Sequence, residues 1–385
     1  MVMMDMKYTK VKIKEICRIV SGTTPKTNKE EFWNGNISWI TPAEIKDNSF
    51  YIYSTERTIT QEGKDKNNLF LMPKGTVLLS SRAPIGKVAI AGIDMCCNQG
   101  FKNLICSNRI NNEFLYYFFK SKTEFLNSLG RGATFKELSK SIVENINISL
   151  PSLQEQFFIK EKLKKIDSLI NLKYIFLQKI NELVNSRFNE IINSEKIDNK
   201  IKLGDLGFFI SGGTPSKFHA EYFDGGDIPF VTTPSLGKNY IDEKDAQYFI
   251  TELGLKESST KLISRDSILI GIRVGVGKSS INKKPLCINQ DILAITNIKD
   301  GFTSLFLKLI IDRNVSRLNN LKRGATIQGI TSKDIKNIDV PALSFSIQNE
   351  LVKFIKQIDK SKLAVQKSID HLEILKKSLM QEYFG

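Results

Sequence analysis

The side chains able to do covalent chemistry are few, and their spacing does not suit it. The five cysteines are Cys17, Cys96, Cys97, Cys106 and Cys287, with no C-x-x-C pair, and the only histidines are His219 and His371. An odd count at such spacings argues against a disulfide framework or a zinc ribbon, and two histidines poorly support a metal site. No histidine lies near a plausible Ser or Cys nucleophile. The stretch G-V-G-K-S from Gly275 to Ser279 imitates a phosphate loop, but the glycine required five positions before Gly277 is Ile272. A hairpin turn carrying a basic residue fits better. Amino-group methylation of adenine calls for Asn/Asp-Pro-Pro-aromatic, and the chain has no Pro-Pro. It also lacks a convincing glycine-rich cofactor loop after a first strand. Its many carboxylates read as a solvated surface.

What the chain does carry is the side-chain set of a DNA reader. Such proteins use Arg and Lys on phosphates, and Arg, Asn, Gln, Ser or Thr at base edges. The 385 residues hold 56 Lys and Arg against 41 Asp and Glu, a formal net charge of +15. That excess suits a polyanionic partner. Solubility, or the lysine-rich drift of an A/T-rich genome, would also account for it.

These residues recur in order at an offset of about 190–192. Ser21 to Pro25 (S-G-T-T-P) matches Ser211 to Pro215 (S-G-G-T-P). E-F-W-N-G from Glu31 matches E-Y-F-D-G from Glu221, and Ile40-Thr41 matches Val231-Thr232. Val77 to Lys87 matches Ile268 to Lys278, and Asn98-Gln99 matches Asn289-Gln290. Finally L-N-x-L-x-R-G-A-T runs from Leu126 to Thr134 and from Leu318 to Thr326. Candidate DNA contacts therefore come in pairs: Thr24 with Thr214, Thr41 with Thr232, Arg82 with Arg273, Lys87 with Lys278, Gln99 with Gln290, Arg131 with Arg323, and Thr134 with Thr326. Matched positions should serve shared tasks, meaning phosphate contacts or upkeep of the fold. Base reading belongs where the copies differ: Lys26–Lys29 against Ser216–His219 (with Lys26 and Lys217 as contacts), Glu44–Asn48 against Ser235–Asn239, and Lys136 against Gln328. Simpler roles compete. Asn98 and Asn289 would satisfy backbone groups in a turn, Gly132 and Gly324 would serve a special backbone angle, and the S-G-x-T-P segments would be plain turns.

The elements that must position these groups are short. β-rich runs such as Thr76–Ser80 and Ser267–Ile272 are bounded by Gly and Pro. Helices are expected over Asn111–Leu129 and Thr303–Leu321. Frequent turns and five-residue strands favour an α+β class. Each copy closes on Pro151 or Pro341. After Pro151, Gly and Pro vanish from Ser152 to Lys202. Apolar residues then recur at spacings of four and three: Ile159, Leu163, Ile166, Ile170, Leu177, Ile180 and Val184, interrupted by Lys173. Leu351, Ile355, Ile358, Val365, Ile369, Leu372 and Leu379 repeat the seam, interrupted by Lys362 and Lys376. Helices of roughly 50–60 Å are expected. They would pack on each other, or each on its own domain. Gln156 and Asp167 match Gln348 and Asp359. Phe157, Phe158, Tyr174, Phe176 and Phe188, off the seam, would bind partner proteins or cap the domains. The division expected is 1–150, first domain; 151–197, first long helix; 198–340, second domain; 341–385, second long helix.

This order of S-G-x-T-P, S-x-R-x-x-x-G-K, N-Q, R-G-A-T and a proline-led helix (P-S-L-Q-E-Q-F-F-I in the first copy) resembles the specificity (S) subunits of type I restriction–modification systems over nearly the whole chain. The resemblance implies two target recognition domains, each reading half of a bipartite asymmetric DNA site. It also implies an antiparallel coiled coil that sets their spacing. Modification subunits, two of them, would bring S-adenosylmethionine, and restriction subunits would bring ATP- and Mg-dependent translocation and cleavage. The chain itself would bind no cofactor. The competing readings are a stand-alone methyltransferase or nuclease with an unrecognised site, and a coiled-coil protein with no DNA role. The N-terminal residues lack the apolar stretch of a signal peptide, and no run approaches the roughly 18 apolar residues of a membrane span. A cytosolic protein is expected.

Overall fold

The computed structural model describes residues 8–82, 84–130, 136–194, 199–324 and 328–385. The chain forms two compact units, 1–176 with 365–385, and 177–364. Each unit holds one copy of the repeat, the first part of that copy's long helix and the last part of the other's.

In the first unit the main sheet has the order Cys17–Val20, Asn103–Cys106, Val77–Leu79, Val88–Ala91, Tyr51–Ile52. Only the last pairing is parallel. V-L-L and V-A-I-A are wholly buried because both faces of the sheet are covered. Alternation sends Val77, Leu79, Val88 and Ile90 into a core with Phe114 and Tyr117, and Leu78, Ala89 and Ala91 into a second core with Met95 and Phe101. A smaller sheet joins Arg57–Ile59, Trp33–Ile40 and Cys96–Cys97. Thr9–Lys12 pairs with Asn147–Leu150 and ties the two ends of the repeat together.

The second unit repeats this plan. Its main sheet runs Phe208–Ser211, Ile292–Thr296, Ile268–Gly271, Ser279–Asn282, Tyr240–Ile241. Its smaller sheet, Tyr248–Ile250, Ile228–Val231, Leu286–Ile288, gains a fourth strand, Leu262–Ile263. G-V-G-K-S is a hairpin turn, as its sequence suggests. Gly275 and Gly277 adopt positive φ, and the turn links Ile268–Gly271 to Ser279–Asn282.

Each helix expected after the strands is broken in two. Asn112–Ser121 and Thr123–Leu129 meet at Lys122, and Ser304–Arg313 and Val315–Asn320 meet at Asn314. Polar side chains at the breaks compete for helix carbonyls. Ser121 donates to the Phe118 carbonyl (2.7 Å) and Asn314 to that of Ile310 (2.8 Å).

The long helices span Leu153–Ser194 and Phe345–Phe384. The second starts four residues after Pro341, past a turn in which the Leu343 N–H donates to the Pro341 carbonyl. Both expected packing modes occur. In the first unit Ile159 and Leu163 join the domain core together with Leu379, Met380 and Phe384 of the other helix. Lys162 pairs with Tyr383, Asp167 with Lys376 and Tyr174 with Glu373. These numbers run in opposite directions, so the helices are antiparallel. In the second unit Phe188 and Ile191 pack with Leu351, Val352 and Ile355, and Arg187 meets Glu350 at 2.5 Å. Phe188 thus caps a domain, whereas Phe157, Phe158, Tyr174 and Phe176 are exposed.

The matched glutamines clamp domain to helix. Buried Gln156 accepts from the Asn111 N–H and donates to the Arg109 and Pro151 carbonyls. Gln348 accepts from Thr303 and donates to Gly301 and Leu343.

Candidate nucleic-acid interface

The S-G-x-T-P turn and the N-Q pair lie far apart in sequence and meet in space. The Thr23 N–H donates to the Cys97 carbonyl at 3.1 Å, and Gly213 donates to Ile288 at 3.0 Å. A Cβ on Gly22 would sit 1.9 Å from the Cys97 carbonyl oxygen, and one on Gly212 would sit 2.1 Å from that of Asn289. Only glycine allows this approach. It brings the Thr24 hydroxyl to Gln99 at 2.5 Å and Thr214 to Gln290. The Asn98 N–H donates to Ile40 and that of Asn289 to Val231, which places Thr41 and Thr232 alongside.

In the second unit this junction borders an open cleft of about 520 Å³ whose lining includes Thr214, Lys217, Thr232 and Gln290. Lys217 stands over the Tyr248 ring, 5.2 Å from its centroid, and Thr232 bonds to Gln247. In the first unit two indoles stiffen the junction. Trp39 donates to the Thr23 carbonyl and Trp33 to the Lys26 carbonyl, both at 3.1 Å. Arg57 covers Trp33 at 3.5 Å. Thr41 is held by Glu44, which accepts from its N–H at 2.7 Å. The Lys26 side chain is exposed.

The paired arginines stay at this surface, each with a carboxylate partner. Arg82 meets Glu137 at 3.0 Å and Arg273 meets Asp291 at 3.5 Å. Both are about half exposed, so their heads remain available to phosphate. Burial pushes the Glu137 carboxyl upward, but Lys102 and Arg82 outweigh it and hold the group below its ordinary value. Lys87 reaches the Pro42 carbonyl at 3.4 Å, beside Thr41, and Lys278 is exposed on its hairpin. Arg323 faces Asp334 at 3.6 Å and is largely exposed. Lys136 and Gln328 are exposed. Arg131, Thr134, Thr326 and Gly132 lie outside the described residues. Gly324 has φ of +121°, the special angle expected of it.

Sequence reasoning passed over the aromatic and acidic partners: Trp33, Trp39, Arg57, Glu137, Tyr248 and Asp291. The matched motif E-F-W-N-G/E-Y-F-D-G pointed toward Trp33 alone. The asparagines also split. Asn98 satisfies the Gly100 N–H at 2.9 Å, whereas the side-chain oxygen of Asn289 has no partner. Burial pushes the Cys96 and Cys287 thiols up to about 11 and Cys97 to about 12, away from reactivity. Among the described residues no three His, Cys, Asp or Glu side chains form a metal-binding group, and no helix is long and apolar enough to cross a membrane.

The family model for the type I restriction modification DNA specificity domain matches residues 6–184 and again 196–373. The chain is 37% identical over 280 residues to the type I restriction enzyme MjaIX specificity subunit of Methanocaldococcus jannaschii. That alignment covers 67% of this chain and 64% of the relative, a little under two thirds of its length. Two solved structures share the fold. One is from work on complex assembly and conformational transition of the type I R-M system (TM-score 0.67, 18% identity, 100% of this chain and 99% of that one). The other is the type I restriction-modification S subunit from M. genitalium (TM-score 0.54, 18% identity, 100% and 98%). With its domain present twice, the chain belongs to the type I restriction modification DNA specificity family.

Proposed function

We propose that this chain is the non-catalytic DNA-specificity subunit of a type I restriction–modification complex. Residues 1–150 and 198–340 each read one half of a bipartite, asymmetric site in double-stranded DNA, and 151–197 and 341–385 are the spacer helices. Two modification subunits supply S-adenosylmethionine-dependent methylation. Restriction subunits supply ATP, Mg and cleavage, and the complex works in the cytoplasm.

The observation that carries this reading is the same polar junction in each unit, Thr24 with Gln99 and Thr214 with Gln290, next to a half-exposed arginine. Such a surface offers hydrogen bonds to base edges beside cations for phosphates, and the net charge of +15 favours a polyanion. DNA contacts assigned to it are Thr24, Lys26, Thr41, Arg82, Lys87, Gln99 and Lys136 in the first domain. In the second they are Thr214, Lys217, Thr232, Arg273, Lys278, Gln290, Arg323 and Gln328. Different mismatched loops on one frame suit two different half-sites, and a helical spacer between them suits a gap that is not read.

Purified with its modification subunits, the chain should direct methylation to a split, asymmetric sequence. Its duplex binding should weaken steeply with salt as counterions are released. Methylation or cutting of DNA by the chain alone would overturn the assignment in favour of a stand-alone enzyme.

A further inference from the structure

We propose that the cleft of the second domain holds a single base swung out of the duplex, with Phe218 entering the stack in its place. This rests on the DNA-reading role given above.

Two buried polar atoms at the cleft have no partner, the Thr233 hydroxyl and the Asn289 side-chain oxygen. Both residues line the cleft, and they are only 2% and 9% exposed. Buried polar groups in native proteins are nearly always satisfied, so such a pair in the wall of a cleft suits a ligand whose polar edge reaches them as it seats. The amide orientation of Asn289 is fixed chemically. Its nitrogen donates to the Asp291 carboxylate at 3.3 Å, which leaves the oxygen as the free atom. That oxygen can only accept. The Thr233 hydroxyl can donate or accept. Together they match the Watson–Crick edge of an unpaired base, which in every case offers an N–H beside an acceptor. Tyr248, Phe223 and Phe230 line the same cleft, and an aromatic face is where an unstacked base rests.

The first domain has neither feature. Pro42 stands where Thr233 does, and the Asn98 oxygen is taken by Gly100, whose counterpart is Asp291. Trp33 and Trp39, packed edge to face, and Arg57, which lies over them, occupy the positions of Phe223, Phe230 and Tyr248.

Phe218 is an independent observation. It is 99% exposed, between Lys217 and His219, on the loop that Lys217 anchors to Tyr248 at the cleft. Its counterpart is Asn28. Phenylalanine is among the apolar side chains that proteins insert between base steps.

The test uses the full chain with its modification subunits and a duplex carrying the site defined by methylome sequencing. Each base pair of both half-sites is replaced in turn by a mismatch that keeps one base and changes its partner. Extrusion is easier from a mismatch, so one position in one half-site should bind about tenfold tighter. Thr233→Val and Phe218→Ala should each erase that gain. Weaker binding at every mismatch, with site-specific binding intact, overturns the base pocket and leaves the DNA-reading role standing. A gain that survives both Thr233→Val and Phe218→Ala also overturns it. Loss of salt-dependent duplex binding altogether would sink the DNA-reading role itself.

Discussion

The two domains share a frame and differ in what they pack into it. At the matching positions, Trp33 and Trp39 of the first domain pack edge to face under Arg57, whereas Phe223, Phe230 and Tyr248 of the second line an open cleft. At the joint with the long helix, the first domain buries charge. Glu113, 5% exposed, binds Lys160 at 2.5 Å, Lys164 at 2.8 Å and the Tyr51 hydroxyl at 2.9 Å. Leu305 and Val352 occupy the positions of Glu113 and Lys160 in the second copy, and both lie in its apolar core. Identical backbone contacts hold the S-G-x-T-P turn against the N-Q strand end in both. The duplicated motifs therefore preserve where the reading surface is built, and the unmatched side chains decide its shape and the stability of each joint.

The largest effect should come from that joint. Glu113→Leu leaves the buried Lys160 ammonium with Glu161, at 2.9 Å, as its one remaining carboxylate, and should cost about 3 kcal/mol, read from the first unit's unfolding transition. Adding Lys160→Val rebuilds the second copy's apolar solution and should recover most of the loss, because a well-packed apolar pair commonly replaces a buried ion pair without penalty. If the double variant is no better than the single one, the two joints are not interchangeable solutions. The pair also sets a pH response. Burial pushes the Glu113 carboxyl up, but Lys160, Lys164 and Tyr51 together outweigh it and hold it below the ordinary carboxylate value. A depressed folded value means its stabilisation is complete above the unfolded value, about 4.3, and is lost as pH falls through the folded one. Acid melts should therefore flatten in the Glu113→Leu/Lys160→Val variant.

A smaller effect tests what the copies share. Gln156→Leu and Gln348→Leu each remove three hydrogen bonds of the same kind, and each should cost about 1–3 kcal/mol. Markedly unequal losses would show that the clamps differ despite matching geometry. Smallest of all is Arg82→Ala. Its exposed ion pair with Glu137 should cost stability no more than about 1 kcal/mol. Binding should weaken on all duplexes alike, and the salt slope should fall by about 1. A change in sequence preference instead would make Arg82 a base reader.

Much of this was legible in the residues. The repeat, the hairpin at Gly275–Gly277 and the helix seams follow from spacing and local backbone rules. The Thr24–Gln99 and Thr214–Gln290 contacts were implied only as shared positions, since sequence does not show that two matched motifs meet each other. The stacking of Arg57 on Trp33 was not legible, because it depends on the pairing of two strands across a long loop. Nor were the carboxylate partners of Arg82 and Arg273, which arrive from different segments, Glu137 after a helix and Asp291 after a strand. The helix breaks at Lys122 and Asn314 turn on single side-chain bonds to carbonyls, too local for an apolar period to reveal.

The central claim is that each domain reads its own half of one DNA site, with specificity carried by the loops that differ. Methylome sequencing of cells carrying the chain with Lys217→Ala tests it most directly. The predicted result is a changed or relaxed sequence in one half-site, with the other half-site and the gap length preserved. Alteration of both halves, a changed gap, or an unchanged motif would contradict it.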